Sequence, residues 1–195
     1  FRLAATDTLR FQVDFNTTNL VRLASNNAIT LGQWQHVVVT WDGSATAANV
    51  RFYVNGVETS YQTTTNGVTN RNSDAAQDLS IGNMDAGTDT FDGVIDDVRI
   101  YNRVLSADEI KRLYKIGATF KINTTISNDS LRTGLVGHWT FDGNDMAGNT
   151  AKDVSGKSNN GTLTNDPKPG IGKLGQGLNF DGVDDYVNLT YAPNL

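Results

Sequence analysis

Carboxylates are the commonest groups in this chain able to do chemistry, and their types are lopsided. Of 21 acidic residues only Glu58 and Glu109 are glutamate; the rest are aspartate. A short aspartate side chain sits in turns, where it folds back on the backbone or reaches a cation. Asp142-Gly-Asn-Asp145, followed by Asp153, Asn159 and Asn160, offers the carboxylate and amide oxygens that calcium takes. The spacing does not follow a helix–loop–helix calcium motif. The same residues can also cap backbone N–H groups with no metal, and both readings stand open. Glycoside hydrolysis would need two carboxyl groups flanking a bond, one of them with a raised pKa. Glu58 lies beside a hairpin turn and Glu109 in a helix cap. Asp96 and Asp97 are adjacent, and a strand would send them to opposite faces. His36 and His138 each fall within a strand pattern, without a Ser or Cys nucleophile nearby. Only two aspartates from distant loops could form an acid–base pair, so the expectation is a non-enzyme with no catalytic residue.

Composition indicates the elements that must position these groups. With 21 Asn, 23 Thr, 19 Gly and three Pro, the chain has the make-up of strands and turns. A net charge of −5 leaves no basic face for phosphates, which excludes a nucleic-acid partner. The absence of cysteine excludes disulfides and thiolate metal sites. No apolar run is long enough for a membrane-spanning segment. Phe11, Val13 and Phe15 alternate with polar residues, as a half-buried strand does. Trp34-Gln-His-Val-Val-Val-Thr-Trp41 reads as a strand, and Trp34, Trp41 and Trp139 read as core. Asn55-Gly56 between two apolar runs predicts a type I′ hairpin. Residues 62–78 read as an exposed loop, and 79–82 and 93–101 as strands. Ser106-Ala-Asp-Glu109 is a capping box that predicts one short helix near 106–114. Residues 116–133 read as a linker, after which strands resume at 135–141 and 178–189.

Several blocks resemble one family. Trp34-Gln-His-Val-Val-Val-Thr-Trp-Asp-Gly43, Val50-Arg-Phe-Tyr-Val-Asn-Gly-Val57 and Phe91-Asp-Gly-Val-Ile-Asp-Asp-Val-Arg-Ile-Tyr101 are similar to the carboxy-terminal half of a laminin-G-like jelly-roll domain, in the concanavalin A-like lectin/glucanase superfamily. Gly134-Leu-Val-Gly-His-Trp-Thr-Phe-Asp-Gly143 and Leu178-Asn-Phe-Asp-Gly-Val-Asp-Asp-Tyr-Val187 resemble its amino-terminal half. The halves therefore stand in reversed order: 1–115, a linker at 116–133, then 134–195. The second segment is too small to stand alone without metal or disulfides. Either it packs on 1–115 as one permuted domain, or the chain is a window on a tandem array.

The resemblance implies an all-β, two-sheet antiparallel sandwich with one helix, located extracellularly or at a cell surface. It implies a non-catalytic carbohydrate-binding or adhesion module whose partner is a glycan or cell-surface protein. It also implies a structural calcium ion, with Asp96 and Asp97 joining Asp142, Asp145, Asp153 and Asn159. Tyr61 and Tyr191, near loop ends, are the candidate ligand-binding aromatics. The alternative is an assembly module that completes its sandwich with other copies of itself, giving a multimer or filament.

Overall fold

The structure is a computed structural model that describes residues 2–4, 7–73, 77–83, 90–118 and 130–190. Tyr191 lies outside these residues, as does most of the expected linker. The chain divides into two compact units, Phe1–Ser73 with Arg103–Ile126, and Asp74–Asn102 with Ser127–Leu195. The strands between 79 and 101 belong with the segment after 127, because their hydrogen-bonding partners lie there.

The first unit holds β1 (Arg2–Ala4), β2 (Thr8–Val13), β3 (Leu20–Ala24), β4 (Val37–Thr40), β5 (Arg51–Val54), β6 (Val57–Glu58) and β7 (Tyr61–Thr65). They form two antiparallel sheets, ordered β1-β2-β3-β7 and β4-β5-β6. Leu9 and Leu20 from the first sheet and Phe52 from the second meet in one buried apolar cluster with Val50, Phe15 and Ala47. Asn55 and Gly56 both have positive φ (52° and 78°), as the expected hairpin requires. The helix α1 spans Ala107–Ala118, four residues past the expected end. It buries Ile110 and Leu113, while Tyr114 packs near His36 with ring centroids 6.1 Å apart. Part of the expected 62–78 loop is instead β7, since the Thr-rich run pairs with β3. Trp34 departs from expectation too: it is 40% exposed, because the strand begins only at Val37.

The second unit holds β8 (Leu79–Ile81), β9 (Asp92–Ile95), β10 (Val98–Tyr101), β11 (Leu135–Trp139), β12 (Met146–Ala147), β13 (Thr150–Ala151), β14 (Gly161–Thr164), β15 (Lys168–Ile171), β16 (Gln176–Asp181) and β17 (Tyr186–Leu189). Its antiparallel sheets run β12-β13-β14-β17-β8, β15-β16-β9 and β10-β11. Trp139, Phe141, Leu178, Phe180, Val187 and Leu189 form its core, each almost closed to solvent. Gly137 leaves room for this packing, since a Cβ there would lie 2.2 Å from the Trp139 ring. The described chain is thus antiparallel β with one α-helix, as the sequence reading expects.

Candidate functional site

Two backbone features of the second unit build a polar pocket. The expected strand 93–101 breaks between β9 and β10, where Asp97 adopts a left-handed φ of 56°. Asp96 and Asp97 therefore do not sit on opposite faces of a strand, and both line one pocket. Just past β11, Phe141 is also left-handed (φ 58°), an uncommon state for a bulky residue, and its ring is buried in the core. Asp142 follows and lines the same pocket, with Arg99, His138, Thr140 and Leu174. The cavity holds about 180 Å³, and Leu174 is its one apolar lining residue.

A glycine-rich turn between β15 and β16 grips both carboxylates. The Leu174 N–H donates to Asp96 Oδ2 and the Gln176 N–H to Asp142 Oδ1, each at 2.8 Å. The Gln176 side chain also accepts from the Gly143 N–H at 2.8 Å. A Cβ at Gly175 (φ +67°) would lie 2.1 Å from Asp142 Oδ1, so this approach requires glycine. Burial pushes the Asp96 carboxyl above its ordinary range. The Leu174 N–H opposes that shift, and the charges of Asp97 and Asp142 add to it. Asp96 Oδ1 is closed to solvent and has no hydrogen-bond partner. A buried acceptor without a donor is costly and calls for a cation or a proton.

Asp97 is committed to its neighbours. Its Oδ2 pairs with Arg99 at 3.0 Å, and its Oδ1 is in hydrogen-bond contact with His138 Nε2. The Arg99 Nε–H also points at His138 Nε2, from 3.3 Å. One imidazole nitrogen cannot serve both at once: carrying hydrogen it donates to Asp97, and bare it accepts from Arg99.

The other expected metal ligands, Asp145, Asp153 and Asn159, are outside the residues that line this pocket. Asp153 Oδ1 accepts the N–H groups of His138 (2.9 Å) and Ser155 (2.8 Å). Its Oδ2 accepts the Ser155 hydroxyl and the Asn159 N–H, both at 2.9 Å. Burial works against the charge on Asp153, but these four donors outweigh it and hold the carboxyl below its usual range. Asn159 is buried. Its amide donates to the Val136 carbonyl at 2.7 Å, and its own carbonyl accepts the Trp139 indole N–H at 2.9 Å. Asp145 Oδ2 accepts the Thr140 hydroxyl at 2.7 Å. Asp96, Asp97 and Asp142 thus come together, while Asp153 and Asn159 form a separate backbone-capping staple.

Tyr61, in the first unit, is also occupied. Its hydroxyl accepts the Phe52 N–H (3.1 Å) and donates to Glu58 (2.9 Å), and Arg22 covers its ring at 3.6 Å. Arg99, His138, Thr140 and the 172–176 turn were missed by the sequence reading. His138 and Thr140 lie in a quoted motif, but nothing local marks the turn as their neighbour.

A laminin-G family model described as the concanavalin A-like lectin/glucanases superfamily matches residues 1–111. No curated protein and no solved structure matches the chain.

Proposed function

Because the chain belongs to this laminin-G family of the concanavalin A-like superfamily, we propose that it is a non-catalytic carbohydrate-binding or adhesion module of a secreted or cell-surface protein, stabilised by calcium at the Asp96–Asp142 pocket. One observation carries the reading: the buried, donorless Asp96 Oδ1 in a pocket shared with Asp97 and Asp142. Calcium is a hard cation that prefers such oxygens, and it would relieve the repulsion among the three carboxylates. Asp97 stays paired with Arg99, so Asp96 and Asp142 supply the charge that holds the ion, with Thr140 as a neutral oxygen on the same wall. The pocket is open to solvent, which leaves coordination positions to water or to sugar hydroxyls. A hydrolytic role gains no support from the uncommitted Asp96 oxygen, which is closed to solvent.

The reversed-order reading of 1–115 and 134–195 has support in the pairing of β10 with β11, β9 with β16 and β8 with β17. These pairs bring family strands from both segments into one unit. Among the described residues, no helix is long and apolar enough to cross a membrane.

The test is thermal unfolding after chelation, repeated with calcium at about one hundred times its dissociation constant. That excess stabilises by ~2.7 kcal/mol, a rise of several degrees in Tm. Asp142→Asn should abolish most of the rise. A glycan array screened with and without calcium reads the ligand. No calcium-dependent stabilisation together with no glycan hit would defeat the proposal. Stable multimers formed without sugar would favour the assembly alternative.

A further inference from the structure

The turn joining β16 to β17 carries Asp181-Gly-Val-Asp-Asp185. One carboxylate oxygen from each of Asp181, Asp184 and Asp185 lies within 4.8 Å of the other two. Exposed acidic groups often cluster in turns, so proximity alone says little. Two buried oxygens make this turn different. Asp185 is only 6% exposed; its Oδ2 accepts the Asp181 N–H at 3.1 Å, which lays the carboxyl across the turn. The other oxygen, Oδ1, is closed to solvent and has no donor. Asn83 is likewise 6% exposed, and its amide N–H docks on the Val183 carbonyl of the same turn at 3.4 Å. Its Oδ1 is a second buried acceptor without a donor.

The turn is held in place independently of any ligand. Asp181 Oδ1 accepts the N–H groups of Val183 (2.8 Å) and Asp184 (3.4 Å). Gly182, with φ +75°, lies against Asp92, where a Cβ would come within 2.8 Å of that side chain. The Asp184 carbonyl accepts from the Asn165 amide at 2.9 Å. The turn therefore brings three carboxylates to close range, and no Lys or Arg is paired to them among the described residues.

We propose that Asp181, Asp184 and Asp185 bind one divalent cation of the calcium class, at a site separate from the Asp96–Asp142 pocket. All the available ligands are hard oxygens, three of them on carboxylates, as such a cation prefers. A bound cation would attract all three carboxylates and so offset their mutual repulsion. The site lies near the surface with Asp181 and Asp184 exposed, so a dissociation constant on the order of 10⁻⁴–10⁻³ M is expected, in the range of extracellular modules.

Radiocalcium equilibrium dialysis on the whole chain tests this, with the pocket separated by mutation. Asp184 is the residue to change, because it is exposed and its carboxylate holds no part of the turn. Far-UV circular dichroism should show D142N and D142N/D184N folded alike. D142N should still bind one calcium, and D142N/D184N should bind it about tenfold more weakly or not at all. The proposal is overturned if D142N binds none, or if adding D184N leaves binding unchanged. If instead D142N binds as much calcium as the parent chain while D184N alone abolishes binding, the turn site stands and the pocket reading fails.

Discussion

Glu109 gives the sharpest stability test, because one side chain performs two measurable jobs. Its carboxylate forms a two-pronged ion pair with Arg103, at 2.8 and 2.9 Å. It also accepts the Ser106 N–H at 2.9 Å, while the Ser106 hydroxyl accepts the Glu109 N–H at 3.2 Å. Together these close the helix cap that the Ser-Ala-Asp-Glu motif predicts. Arg103 is the main cause, with the Ser106 bonds acting against burial, and Glu109 titrates at about 2 rather than at the ordinary 4.5. Taken in full, that difference corresponds to ~3 kcal/mol of folding stability. The Arg103 and Glu109 side chains are 27% and 14% exposed, and solvent screening leaves ~1–2 kcal/mol. A depressed carboxyl contributes stability that is complete above its unfolded pKa and fades as pH falls through its folded one. E109Q should therefore be ~1–2 kcal/mol less stable than the parent at pH 6. The gap should narrow below pH 4.5, be largely closed at pH 2, where Glu109 is about half protonated, and vanish below that. Urea unfolding of both proteins across this range, with hydrogen exchange at the Ile110 and Leu113 amides of α1, measures the gap. Equal stability at pH 6, or a gap that persists undiminished at pH 2, would refute the reasoning.

Three further changes separate the roles assigned above. Gly137→Ala would place a methyl 2.2 Å from the buried Trp139 ring, and the resulting overpacking should cost ~1–3 kcal/mol in a urea melt; an unchanged midpoint would count against the packing described. Asp153→Asn turns half of a four-donor acceptor into a donor and should cost ~2–3 kcal/mol, equally in calcium and in chelator, whereas a loss seen only with calcium would make Asp153 a metal ligand. Gly175→Ala meets both a left-handed backbone and Asp142 Oδ1 at 2.1 Å, so it should lose ~1–3 kcal/mol and most of the calcium-dependent rise in Tm, measured by thermal unfolding with and without calcium.

Local signals in the sequence carried well where the structure they imply is local. Asn55-Gly56 and Ser106–Glu109 dictate their turn and cap through a few backbone dihedrals, and both form as read. Trp139 is core because its strand alternation is genuine, whereas Trp34 precedes the strand it was assigned to. The carboxylates were harder, since nothing in an aspartate's neighbours says whether its oxygens meet N–H groups or an ion. Asp153 and Asp142 read alike in sequence; one faces four donors, and the other faces a pocket. The turn that grips Asp96 and Asp142 comes from residues 172–176, and only tertiary folding makes it their neighbour. Asp181, Asp184 and Asp185 stood in a quoted family block, but the orphaned oxygen that singles them out exists only once Asp185 is buried.

The division of each unit between two stretches of chain sets a timetable for synthesis. β2 through β7 can pair as soon as residue 65 has left the ribosome, and only α1 arrives late. β8 and β9 wait far longer, because their partners are β17 and β16; the Asn188–Asp78 hydrogen bond alone spans 110 positions. At ~5–20 residues per second, that wait is on the order of 5–20 s. Throughout it, the hydrogen-bonding edges of β8 and β9 are open, and neighbouring nascent chains on the same message present complementary strands. Slow translation of the 102–176 stretch should therefore raise the yield of intermolecularly paired product, while translation that outruns such encounters should favour the self-paired monomer.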